Sequence, residues 1–187
     1  MALLHAATLN PSKLELLSAW LPTQPWAGDV SALEQVGAYR FDDPQGEVGL
    51  EAFLLRTGDG RLLHVPVTYR GAPLDGADSA LVGTTDHSTL GQRWVYDGTA
   101  DPVWLRAAAT AALTGGHEAE LLIDLGKGLE RRDPTVRVQG SGSSDAPVPT
   151  LDDLSVSVAR VVGDPVEGAA TVSARWDGGE AVVIGVG

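Results

Sequence analysis

The sequence has no cysteine, one methionine and only two lysines, Lys13 and Lys127, among 187 residues. Without cysteine there is no disulfide framework, no thiolate nucleophile and no sulfur ligand for a metal. Four histidines, His5, His64, His87 and His117, stand far apart and show no metal-ligand spacing, so no metal and no cofactor is expected. No apolar run approaches the roughly 20 residues that a membrane-crossing helix requires. The opening "MALLHAATLNPSKLELL" has no basic region ahead of an apolar stretch, which predicts no secretory leader. A soluble, cytoplasmic protein with no membrane partner is the expectation. Cations are scarce, 13 Lys and Arg against 25 Asp and Glu, for a net charge of −12. The carboxylates are spread along the chain, so the field repels phosphate backbones and argues against a nucleic-acid partner.

What is present is enough apolar material, 43%, for a core in one domain or a domain with a small companion. "LNPSKLELLSAWLP" predicts a short helix capped by Asn10, with Pro11 in its first turn and Pro22 at its end. Leu14, Leu17 and Leu21 share its expected core face. "EVGLEAFLLRTGDGRLLHVPVTYRG" alternates as a hairpin turned at Gly58-Asp59-Gly60, with His64 on the exposed face and a local unpaired or edge position at Pro66. Residues 80–85 and 91–97 read as a second strand pair. Asp101 and Pro102 open the strongest helix, "VWLRAAATAALT", which stops at Gly115-Gly116. Its Val103, Ala107 and Ala111 form a small-residue stripe suited to packing on a sheet. Beyond it, "EAELLIDLG" and "TVRVQG" read as strands around a charged turn. Residues 141–149 are linker-like, and "LSVSVARVV" and "ATVSARWDGGEAVVIGV" alternate, the latter as a hairpin turned at Asp177-Gly178-Gly179. In this reading Leu154, Val156 and Val158 face Val172, Ala174 and Trp176. The order of elements predicts an α+β chain with mostly antiparallel sheet and two helices.

The densest chemistry lies in "DHS", residues 86–88, and "GQRWVYDG", residues 91–98. Trp94 and Tyr96 share one strand face, while Arg93 and Asp97 share the other. A tryptophan platform beside polar groups is how a site holds a sugar ring; Asp86, His87, Arg93 and Asp97 are the candidate polar neighbours, and Tyr69 is an alternative aromatic for the ring. Trp26 is a further stacking candidate. The competing reading is packing, with Trp94 and Tyr96 in the core and Arg93 paired to Asp86. Asp42, Asp43, Glu47 and Glu51 read as turn chemistry followed by a solvated strand face. "GSGSS", residues 140–144, reads as a link rather than an anion cradle, since it lacks the Lys-Ser/Thr of a P-loop. No catalytic set of nucleophile, base and orienting group can be assembled.

From residue 1 to about 116 the chain resembles the N-terminal cap domain of bacterial maltokinases. The matching phrases are "ATLNPSKLELLSAWLPTQPW", "GAYRFDDPQGEVGLEAFLLRTGDGRLLHVPVTYRGAPLDGAD" and "LVGTTDHSTLGQRWVYDGTADPVWL". The resemblance implies a curved antiparallel sheet with a cystatin-like helix-on-sheet arrangement over residues 1–116; the strands read beyond it make 117–187 a β-rich extension, in the same body or as a second small sheet. In the family this cap precedes a body that phosphorylates maltose with ATP, in a route from trehalose to α-glucan. The body's "HxD…N" and "DFG" motifs do not occur here, so phosphoryl transfer is not expected of this sequence. Three functions stay open: a module that contacts a kinase, a trehalose or α-glucan enzyme or a second copy of itself; a small binder of maltose or α-glucan; and an enzyme with an unrecognised site.

Overall fold

A computed structural model describes residues 2–5, 8–124, 128–147 and 150–187. Lys127 and the end of the 141–149 loop lie outside these residues. The elements in chain order are β1 (Ala2–His5), β2 (Leu9–Asn10), α1 (Lys13–Trp20), β3 (Leu33–Phe41), β4 (Gly49–Thr57), β5 (Leu62–Arg70), β6 (Leu81–His87) and β7 (Gly91–Asp97). They continue with α2 (Pro102–Thr114), β8 (Leu121–Asp124), β9 (Leu129–Arg132), β10 (Val136–Gly140), β11 (Val156–Val158), β12 (Ala170–Trp176) and β13 (Gly179–Val186). The expected α+β class, two helices with mostly antiparallel sheet, is what the chain forms.

A curled six-stranded sheet, ordered β2-β6-β7-β5-β4-β3, is the centre of the fold, and every pair in it is antiparallel. Alternation along β4 divides its residues between two cores. Leu50, Ala52 and Leu54 join Tyr39, Phe41 and the buried face of α2. Phe53 and Leu55 join Leu16, Leu17, Trp20 and Leu21 of the α1 region. A second, four-stranded antiparallel sheet, β10-β12-β13-β11, completes the α2 side, with Val136, Val138, Val172, Ala174 and Ile184 in the same core as Tyr39 and Phe41. A third sheet, β1-β8-β9, contains the one parallel pair among the described strands, β1 with β8.

Several local expectations shift. Ser12, not Asn10, caps α1: its hydroxyl accepts from the Glu15 N–H, and Glu15 accepts from the Ser12 N–H at 2.7 Å. Asn10 instead pairs with Asp86 in the sheet. Leu14 is 37% exposed and Leu16 takes its place in the core. On α2 the buried residues are Trp104, Ala108, Ala109, Ala111 and Ala112, so the packed stripe is rotated by one residue and leaves Val103 and Ala107 partly open. β11 lies beside β13, with β13 separating it from β12.

β5 is a central strand, and its proline sits at a change of partner. His64 N–H donates to Arg160 O and Val162 N–H to Leu62 O, while β7 pairs only from Val67 onward. The nitrogen of Pro66 points into the gap between these partners, so no ladder bond is lost. His64, expected on an exposed face, is 0% exposed, because the 159–162 segment covers that end of the strand.

The glycines at 140 and 142 close the end of α2. Gly142 N–H donates to Ala112 O at 2.8 Å and Ser143 N–H to Leu113 O at 3.0 Å. These are carbonyls the helix leaves without internal partners. A β-carbon at Gly142 would lie 1.9 Å from Leu113 O, so only glycine permits the approach. This part of the 141–149 loop is a built cap, and its N–H groups are not free to cradle an anion.

Candidate functional site

The residues gathered by sequence in and around the β6–β7 hairpin do not converge. Tyr69, Arg93 and Asp97 lie on the α1 face of the sheet, while Trp94 and Tyr96 lie on the other face. Tyr96 is buried, and its hydroxyl accepts from the Leu74 N–H at 2.9 Å. Trp94 is half-buried and Asp86 exposed. His87 Nδ1 accepts from the N–H groups of Thr89 and Leu90, holding the hairpin turn. Arg93 donates to Leu90 O rather than pairing with Asp86. Trp26 does not face an open platform: the Arg160 guanidinium lies 4.8 Å from its ring centroid.

Asp97 and Tyr69 instead belong to separate buried polar clusters. Asp97 and Thr99 both accept from Arg160, which carries the 159–162 segment onto the sheet. Tyr69 donates to Glu51 at 2.9 Å. Glu51, expected on a solvated face, is 7% exposed. Lys13 of α1 donates to both of its oxygens at 2.6 and 2.9 Å, and Arg40 stands 3.8 Å away. Burial works against the charged form of Glu51, but Lys13 and Arg40, with the hydrogen bonds from Lys13 and Tyr69, outweigh it and hold its carboxyl below the usual range.

A third cluster joins β5 to α2. Asp101 is fully buried, receives two 2.7 Å bonds from Arg70, a third of 2.7 Å from Thr68 and a fourth from the Val103 N–H it caps. Burial opposes its charge, yet Arg70, Thr68 and that N–H lower its pKa from the ordinary carboxylate value. In each cluster the ionisable groups face one another inside the fold, and their chemistry is spent on joining elements.

The open geometry lies elsewhere. A groove of about 660 Å³ runs along α2, with Val103, Ala107, Thr110 and Thr114 on the helix side and Phe41 behind them. Asp42, Asp43 and Glu120 stand at its edge, with Arg106 and His117 also in the lining. Asp43 keeps the bordering turn shaped as the sequence suggests, accepting from the N–H groups of Gln45, Glu47 and Val48. The small side chains at 107, 110, 111 and 114 are a legible signal for this groove, since they recur at helical spacing; of the stripe expected to pack on the sheet, Val103, Ala107 and Ala111 all line it.

The curled antiparallel sheet, its helices and this groove define an α+β domain. Within it, residues 20–101 match the family model of the maltokinase N-terminal cap domain. The match runs from the end of α1 to the Asp101 cap, so α2 and everything after it lie outside the match. No curated protein matches the chain. Among the described residues no helix is long and apolar enough to cross a membrane.

Proposed function

We propose that the protein is a cap-type module that works by contact, holding an apolar segment of a partner protein in the groove along α2. The observation that carries this reading is the groove itself: about 660 Å³, floored by small apolar side chains and bordered by Asp42, Asp43 and Glu120. An apolar trough with convergent polar groups is the usual form of a binding site. The acidic border and the net charge of −12 favour a segment flanked by lysine or arginine. The cap-domain match supports a kinase of the maltokinase type as that partner, and with it a place in maltose and α-glucan metabolism.

The test is titration of the chain with a purified maltokinase-type kinase body, followed by calorimetry and size-exclusion chromatography. A one-to-one complex is expected, and Thr110→Arg, which fills the groove without touching the core, should weaken it tenfold or more. Unchanged binding by that variant, or no complex at all, overturns the reading. Tryptophan fluorescence titrated with maltose addresses the sugar-binding alternative, which the separation of Trp94 and Arg93 onto opposite faces does not favour.

A further inference from the structure

Only 13 side chains in this protein are cationic lysine or arginine, yet four of them line a single cavity. The cavity measures about 470 Å³ and lies between the β8–β9 hairpin and the outer face of the second sheet. Arg131 and Arg132 come from the hairpin, Arg137 from β10 and Arg175 from β12. The register places Arg137 directly opposite Arg175 on paired strands. Like charges in that position repel and lower the stability of a sheet. Nothing in the packing calls for two guanidiniums there, since the core-facing residues on these strands are Val136, Val138, Val172 and Ala174.

The carboxylates nearby leave this charge only loosely matched. Glu118 gives one oxygen to the buried Val138 N–H at 2.8 Å and reaches Arg137 only at 3.5 Å, the same distance at which the exposed Asp133 stands from Arg137. Glu180 is taken by Arg175, and Glu120 by Arg131. Arg132 has no side-chain partner among the described residues, and Ser173 adds a hydroxyl to the lining. The paired guanidiniums are 60 to 71% exposed, and such surface pairs exchange partners readily. A phosphate offers more charge and more acceptor oxygens than any one of these carboxylates, and arginine forks match it in bidentate geometry.

We infer that this cavity binds a small phosphorylated ligand, with Arg132, Arg137 and Arg175 as the phosphate-holding residues. Its volume suits a nucleotide or a sugar phosphate. The site adjoins the α2 groove, with which it shares the lining residues His117 to Glu120, but its arginines take no part in the cap-type reading and it lies wholly outside the matched residues 20–101.

The test is calorimetric titration of the full chain with inorganic pyrophosphate, a nucleoside diphosphate and a hexose phosphate, at 0.15 M salt. At least one is expected to bind with a dissociation constant below a millimolar, and the ranking identifies the source of the phosphate. The double variant Arg132→Gln/Arg175→Gln should weaken that binding tenfold or more while its melting temperature without ligand stays within about two degrees, both side chains being exposed. Arg56→Gln, an exposed arginine on the first sheet, should bind as the parent does. Absence of binding by all three probes overturns the inference. So does equal binding by the double variant, or equal weakening by Arg56→Gln, either of which reports general charge attraction alone.

Discussion

The Tyr39 hydroxyl and His64 Nε2 meet at 2.9 Å across β4, with their rings nearly parallel at 16°. On its other side, His64 Nδ1 lies 3.2 Å from Ala159 O. A carbonyl only accepts, so Nδ1 carries the hydrogen and Nε2 accepts from Tyr39. A neutral imidazole therefore ties the first sheet to the 159–162 segment. Burial lowers the His64 pKa from 6.5 to about 4. Because the folded value is depressed, the contribution is complete above pH 6.5 and is lost as pH falls toward 4. It amounts to roughly 3 kcal/mol. Urea unfolding of the parent should show this loss between pH 6.5 and 4.5. His64→Gln should be less stable at pH 7 and show a flatter profile across that window.

Lys13 fastens α1 to the sheet through Glu51. Lys13→Met leaves the buried carboxylate with Arg40 at 3.8 Å and the Tyr69 hydroxyl. A loss of about 1–3 kcal/mol is expected, below the cost of breaking a wholly buried pair because solvent reaches Lys13. The Glu51 carboxyl is held low in the fold, so its contribution is present above its ordinary pKa and disappears as pH falls below it. In Lys13→Met that acid-side loss should shrink, which chemical denaturation between pH 7 and 3.5 measures.

Asp101 serves both as the cap of α2 and as the acceptor for Arg70. Asp101→Ala removes both and strands a partly buried guanidinium, for an expected loss of about 3–5 kcal/mol. Asp101→Asn keeps an oxygen for the Val103 N–H and should fall between it and the parent. Thermal unfolding followed by circular dichroism ranks the three.

Gly142 tests whether the 140–143 segment is a cap or a loose connection. Gly142→Ala places a methyl against Leu113 O, and a loss of about 1–3 kcal/mol is expected. Faster hydrogen exchange should appear at Gly142 and Ser143, whose N–H groups close α2. Ser144→Ala, at an exposed neighbour, should change neither.

The sequence signals that held were local. Asp101-Pro102 and Gly115 bound α2 as expected, and the two-residue turn Asp177-Gly178 joins β12 to β13. The β6–β7 pair was legible from alternation between turn residues, and the cap-domain phrases cover most of the stretch that matches. What failed depended on the second layer. Glu51 and His64 occupy positions where alternation predicts solvent, but α1 covers one face of their strands and the C-terminal segment the other. A periodic pattern says which residues share a face and cannot say whether that face is covered twice. The β1–β8 pairing joins residues more than a hundred positions apart, for which a short sequence window holds no signal. For the same reason Arg137 and Arg175 were not linked by reading along the chain.

The central claim is that α2 and the turns beside it form a contact surface. Hydrogen–deuterium exchange, read with and without a maltokinase-type kinase body, tests it most directly. The account predicts slowed exchange confined to residues 41–45 and 103–120, with the outer face of β6 and β7 unchanged. Protection centred on the β6–β7 hairpin, or none anywhere, would contradict it.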